Sequence, residues 1–199
     1  MKRSVFFLLI LLALPLVAGA VVESKTETEY PDQVTLVVDG QDVKLDVTGV
    51  GLREKTFMKV DVYTIVSYVS SDADLGEDPG TTLRSVQAPK RIQMNLRRGF
   101  SREKLVNSFK EVIEKNYDDM DAFAADMDIF FGFFERDAEE NDILIFDYVP
   151  GVGLATTLNG DVKDTIANPA FAEALWTVWF GKKPADGGLK KALLSSLEK

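Results

Sequence analysis

The chain has 199 residues, 46% of them hydrophobic and 28% charged, the composition of one folded domain with a substantial core. Neither Cys nor His occurs, which excludes disulfides, thiolate nucleophiles, imidazole bases and Cys/His zinc sites, and leaves any chemistry to Arg, Lys, Tyr, carboxylates, amides and hydroxyls. The net charge of −9 argues against nucleic acid as a partner, because affinity for a phosphate backbone comes from Lys and Arg displacing its counterions.

Met1-Lys2-Arg3 is a basic start, Val5 to Val17 is an apolar run of 13 residues, and Ala18-Gly19-Ala20 supplies the small residues a signal peptidase reads. Residues 1–20 therefore read as a secretory signal cleaved after Ala20. The run is shorter than the roughly 20 apolar residues a membrane span needs and is interrupted by Pro15, so an exported, periplasmic protein with no stable membrane anchor is expected. Residues 21–33 are polar and read as a flexible lead-in to a domain spanning 34–199.

Val34 to Val38 and Val43 to Val47 are β-rich runs flanking Asp39-Gly40, a strong hairpin signal. Gly49-Val50-Gly51-Leu52-Arg53 follows as a flexible turn, and Phe57 to Val69 reads as one long strand. Met58, Val60, Val62, Val66 and Tyr68 share its apolar face, whereas Phe57, Lys59, Asp61, Tyr63 and Ile65 make a mixed face suited to water or a ligand. Asp72 to Pro79 reads as an acidic loop, and Ile92, Met94 and Leu96 alternate in a further strand. Ser101 caps a helix whose apolar stripe is Leu105, Val106, Phe109, Val112 and Ile113. Asp118, Asp119, Asp121, Asp126 and Asp128 invite a calcium reading, but Phe123 and Ala124 fall where an EF-hand needs a ligand and a glycine, so a solvated helix start is expected and no metal. Gly151-Val152-Gly153 lacks the rest of a phosphate loop and reads as a turn. The Phe residues between 123 and 134, with Trp176 and Trp179, read first as core and second as the lining of an apolar cavity. A strand at Ile143 to Val149, a hairpin at Asn159-Gly160, a helix from Pro169 to Gly181 and a short helix after Gly187-Gly188 complete the chain. The order indicates α+β with a largely antiparallel sheet.

Gly49-Val50-Gly51-Leu52-Arg53 resembles the Gly-x-Gly-x-Arg segment of the chalcone isomerase family, and Val62 to Val69 resembles the strand that follows it. Phe100-Ser101-Arg102 and Asn107 resemble the start of that family's cleft helix, and Ala174 to Gly181 with Pro184 and Leu189-Lys190 resembles its C-terminal signature. The resemblance implies an open-faced β-sandwich, a large antiparallel sheet covered by helices with a cleft between them, and no cofactor. In the cyclising members a phenolate adds to an enone within one molecule, and Arg53 matches the guanidinium that stabilises the oxyanion. Phe100 stands where those enzymes carry a Tyr, Tyr63 where they carry a Thr, and Val178 and Trp179 replace a Thr-Met pair that contacts the flavonoid. Arg53 together with Tyr63 is instead the pattern of the fatty-acid-binding members, in which guanidinium and phenol hold a carboxylate. The resemblance thus implies a small apolar acid as ligand, with Arg53, Tyr63, Phe100, Asn107, Val178 and Trp179 as candidate binding residues. Two alternatives stay open: a flavonoid-like ligand and an intramolecular lyase using Arg53 as electrophile, or an envelope protein with a vestigial cleft and a structural or partner-binding role. By periodicity Asn107 lies opposite the apolar stripe of its helix, which makes it solvent-facing.

Overall fold

The computed structural model describes residues 19–55 and 59–198. Seven strands form one antiparallel sheet in chain order: β3 (Gln33–Val38), β4 (Gln41–Lys55), β5 (Val60–Ser70), β6 (Lys90–Leu96), β7 (Ile143–Val149), β8 (Gly153–Leu158) and β9 (Asp161–Ile166). Asp39 (φ 50°) and Gly40 (φ 74°) turn the β3–β4 hairpin, and Asn159 (φ 53°) and Gly160 (φ 82°) turn β8–β9. Both central residues of each turn have positive φ, the two-residue geometry that matches strand twist and that Asp-Gly and Asn-Gly favour.

Helices α1 (Pro79–Ser85), α2 (Arg102–Asn116), α3 (Ala124–Gly132), α4 (Pro169–Phe180) and α5 (Gly187–Ala192) supply the rest of the main core. Helix α4 is buried along nearly its whole length, from Phe171 to Phe180, because it lies between the sheet and the other helices. Ser101 caps α2 through Lys104 N, as the sequence indicates, and Asn168 caps α4 while its amide also reaches Asp126 Oδ2 at 2.6 Å. Asp126, from the acidic run, thus ties α3 to the start of α4. Helix α1 falls at the end of the expected acidic loop; Asp78 caps it and Pro79 occupies its first position, a pairing that favours helix initiation.

Three of the sequence expectations need correction. The expected flexible lead-in contains a hairpin, β1 (Ala20–Glu23) and β2 (Thr28–Pro31), packed on the outer face of the sheet. Its anchor is Tyr30, which is buried against Leu45, Val66 and Tyr68; the Tyr30 hydroxyl shares a 2.7 Å hydrogen bond with that of Thr64. Strand β5 is consequently buried on both faces: Val66 and Tyr68 meet the hairpin, while Tyr63, Ile65 and Val69 meet the helices. From Tyr63 on, the mixed face read from its sequence is a core face, while its polar member Asp61 pairs with Lys25 of the hairpin; the described strand runs Val60–Ser70, and Phe57 and Met58 lie outside the described residues.

The third correction concerns Gly49 to Arg53, which form no turn and lie inside β4, paired with β5 from Gly49↔Ser67 to Arg53↔Tyr63. The two glycines answer a different need. A Cβ on Gly49 would run into the Ala192 carbonyl and sit 2.5 Å from Leu193 C, and one on Gly51 would sit 2.7 Å from Leu189 Cδ1. They let α5 lie directly on the strand, where Thr48 Oγ1 donates to Leu193 O at 2.8 Å and Ser196 N donates to Thr48 O at 3.0 Å.

One fully buried cation has a structural explanation. Lys90 Nζ donates to the carbonyls of Leu83 (3.1 Å), Arg84 (3.0 Å) and Val86 (3.2 Å), closing the C-terminal end of α1, and lies 5.1 and 5.0 Å from the rings of Tyr148 and Trp176. Burial pulls its pKa down to about 7.

Candidate functional site

Residues 49, 51 and 53 of β4 share one face, so the row that begins with two glycines under α5 ends with the Arg53 side chain at the N-terminal end of that helix. Arg53 Nη1 donates to the Ala185 carbonyl and, at 3.0 Å, to Asp186 Oδ2. Asp186 is the N-cap of α5, its other oxygen accepting from Leu189 N at 2.9 Å. The loop is fixed from behind as well, since Ala185 N donates to Val178 O at 2.8 Å. The ion pair is partly exposed, at 26% and 28% for the two side chains, so water reaches the guanidinium.

Tyr63 is the cross-strand neighbour of Arg53, on the same face and buried. Its hydroxyl lies 3.3 Å from Trp179 Nε1. An indole nitrogen only donates, so Tyr63 Oη is the acceptor and its own proton has no acceptor among the described residues. Burial raises the Tyr63 pKa, opposed by the Trp179 hydrogen bond and the nearby Arg53 charge, and the phenol is neutral and able to donate at neutral pH. Arg53 is in the same position. Of its five N–H donors, Ala185 and Asp186 occupy Nη1, and Nε and Nη2 have no acceptor among the described residues.

Behind these donors stands an aromatic wall. The Trp179 ring lies 6.0 Å from Phe146 and 6.2 Å from Phe109, and Phe109 packs on Phe130 and Phe134. The Phe residues of α3 belong to this core, as their spacing indicates.

The other sequence candidates scatter. Val178 is buried on α4 and acts through its carbonyl. Phe100 forms a bridge with Ala138, and Arg98 and Lys104 approach its ring at 5.8 and 5.5 Å. Asn107 is exposed on α2, lining a polar groove of about 410 Å³ with Lys55, Ser101, Lys104 and Glu111, a lining that includes neither Arg53 nor Tyr63. Arg53, Tyr63 and Trp179 come together; Phe100 and Asn107 stand apart from them in these contacts. Asp186 and Ala185 were not among the candidates, although Asp186 before Gly187-Gly188 is a helix-cap signal that points to a fixed carboxylate.

A family model described as chalcone isomerase-like matches residues 23–195. A crystal structure of an Arabidopsis thaliana fatty-acid binding protein is similar with a TM-score of 0.70 and 19% identity, covering 89% of this chain and 97% of that one. No curated protein matches. The likeness extends to the architecture, a seven-stranded antiparallel sheet covered by helices.

Proposed function

The chain belongs to the chalcone isomerase-like family, and from that premise we propose that it is an exported protein that binds a small, apolar, fatty-acid-like carboxylic acid with Arg53 and Tyr63 at the acid group. The observation that carries this reading is a surplus of donors: the free edge of the Arg53 guanidinium and the Tyr63 proton lie on one face of adjacent strands without acceptors among the described residues. A carboxylate takes a guanidinium edge bidentately and accepts a phenol proton on a remaining lone pair. Arg53 already holds one carboxylate, that of Asp186, at 3.0 Å. The similar plant structure is that of a protein named for fatty-acid binding, which agrees in ligand class. An acyl chain following its carboxylate inward meets Trp179, so binding displaces that indole from Phe146 and Phe109.

Calorimetry with dodecanoate and dodecanol tests the reading. Tyr63→Phe, which keeps the ring, and Arg53→Ala should each weaken the acid selectively; for Arg53 a charge-assisted hydrogen bond of about 1.5–3 kcal/mol corresponds to roughly a 10- to 150-fold loss. Equal losses for acid and alcohol would mean that Arg53 only holds α5 to the sheet.

A further inference from the structure

The arrangement of charge at this site says in what form the acid is held. Arg53 is neutralised before any ligand arrives, because Asp186 Oδ2 sits 3.0 Å from Nη1 while Oδ1 is committed to the α5 cap. The other titratable or charged groups facing this point are few. Tyr63 comes from β5 and is neutral, and Lys55, two residues further along the same face of β4, is exposed, so water and salt screen its charge. Lys190, on α5, is turned to the carbonyls of Phe180 (2.9 Å) and Gly181 (3.1 Å). Trp179 from α4 and Leu96, opposite Tyr63 on β6, carry no charge. A ligand carboxylate on the free edge of Arg53 therefore places a second negative charge on a guanidinium that balances one. Like charges within about 4–6 Å of each other disfavour double ionisation, and in a partly dry site the pair relieves this by taking a proton.

We infer that the acid is bound together with one proton, shared between the ligand carboxyl group and Asp186, so that Asp186 sets both the pH dependence and the charge preference of the site. This rests on the acid-binding reading above. The balance is simple: one anion and one proton leave solvent, and Arg53, Asp186 and the ligand end with no net charge. The half-neutralised pair also explains how an apolar wall such as Trp179 can border the site, since a neutral head group costs far less to desolvate than an ion.

The test is calorimetric titration of the full chain with dodecanoate, below its micelle concentration, at pH 7 in phosphate and in Tris. These buffers differ widely in ionisation enthalpy, so the difference in heat counts protons. Proton uptake per dodecanoate should be above zero at pH 7 and grow toward one as the titration is repeated at lower pH, with affinity rising by up to about tenfold per pH unit on acidification. Asp186→Asn keeps an equally good N-cap while removing the charge. It should take up close to no proton and bind dodecanoate at least about fivefold more tightly at pH 7. Arg53-dependent dodecanoate binding whose heat is the same in both buffers, with Asp186→Asn binding no better, would overturn the proton-sharing inference and leave the acid-binding reading standing. No dodecanoate binding, or binding that neither Arg53→Ala nor Tyr63→Phe alters, would remove both.

Discussion

Replacing Gly49 by Ala adds one methyl group to a strand that already carries a helix on its surface. The new Cβ meets backbone: its nearest neighbour is the Ala192 carbonyl oxygen, and it would sit 2.5 Å from Leu193 C and 2.8 Å from Leu193 Cα, where ordinary contact begins near 3.4 Å, so α5 must move away by about an ångström or more. Leu189 and Leu193, buried by that seat, lose part of a burial worth about 1.5–3 kcal/mol each. The Thr48 bonds to Leu193 O and from Ser196 N lengthen as well. Overpacking alone costs about 1–3 kcal/mol, so a total near 3 kcal/mol is expected, lowering Tm by about 6–12 °C for a chain of this size. Gly51→Ala should cost less, about 1–2 kcal/mol, because its Cβ meets the end of a Leu189 side chain that can rotate. Gly187→Ala, with nothing within 4 Å, should be neutral or slightly stabilising. Urea and thermal unfolding followed by far-ultraviolet circular dichroism ranks the three. Gly49→Ala within about 0.5 kcal/mol of the parent, the size of an ordinary surface substitution, would show that these glycines serve a flexible turn and that α5 is not seated on them.

Stability should depend on pH in three windows. The fold holds Lys90 at about 7 against 10.5 when unfolded, so between those values the unfolded chain binds the extra proton and stability rises with pH. Tyr30, raised to about 12, and Tyr63 and Tyr68, also raised, reverse the trend above pH 10, where the unfolded phenols ionise first. Asp78 is held below its ordinary range by hydrogen bonds from Thr81, and Asp142, against the upward pull of its burial, by hydrogen bonds from Arg136, Glu139 N and Asn159, so their contribution is lost as pH falls below about 4. Lys90→Met should abolish the rising limb between 7 and 10; near pH 10 it should cost about 1–3 kcal/mol, because the carbonyls of Leu83, Arg84 and Val86 lose their donor, and the cost should shrink toward pH 7, where Met avoids burying an ammonium; an unchanged limb would refute the assignment of that slope to Lys90. Intact mass of secreted material should place the mature N-terminus at Val21, the second residue of β1, and a retained 1–20 segment in a membrane fraction would contradict export by cleavage. Chalcone cyclisation should not exceed the spontaneous rate, since Phe100 has no hydroxyl for the developing enolate; an Arg53-dependent rate above background would refute this.

Much of the sheet was legible because its signals are local. Asp39-Gly40 and Asn159-Gly160 announce their turns, and Ile143 to Val149 delimits β7 to the residue. What failed was whatever depends on a distant partner. Gly49 and Gly51 look like flexibility until α5 is laid over them, and the segment before Pro31 looks loose until Tyr30 meets Val66 and Tyr68. The same division runs through the site. Parity and the family resemblance singled out Arg53 and Tyr63, which the β4–β5 register sets side by side. Asp186 comes to Arg53 from 133 residues away, and no periodicity connects them. For Asn107 the helical wheel pointed outward and the resemblance pointed inward; it is exposed, as the wheel requires.

The strands of the large sheet stand side by side in the order in which they occur along the chain, each hydrogen-bonded to the one before it. The β3–β4, β7–β8 and β8–β9 pairings close short turns, which are entropically cheap and fast, whereas β5–β6 and β6–β7 close longer segments that carry α1 and then α2 and α3. The seating of α5 is of the opposite kind, with Thr48 and Leu193 separated by 145 residues and Arg53 and Asp186 by 133. In a chain emerging N-terminus first, all seven strands of the sheet precede the carboxylate that balances Arg53. Until α5 docks, that guanidinium lacks the carboxylate that balances it in the folded chain, so the pair closes only with the long-range contacts of the fold's C-terminal part.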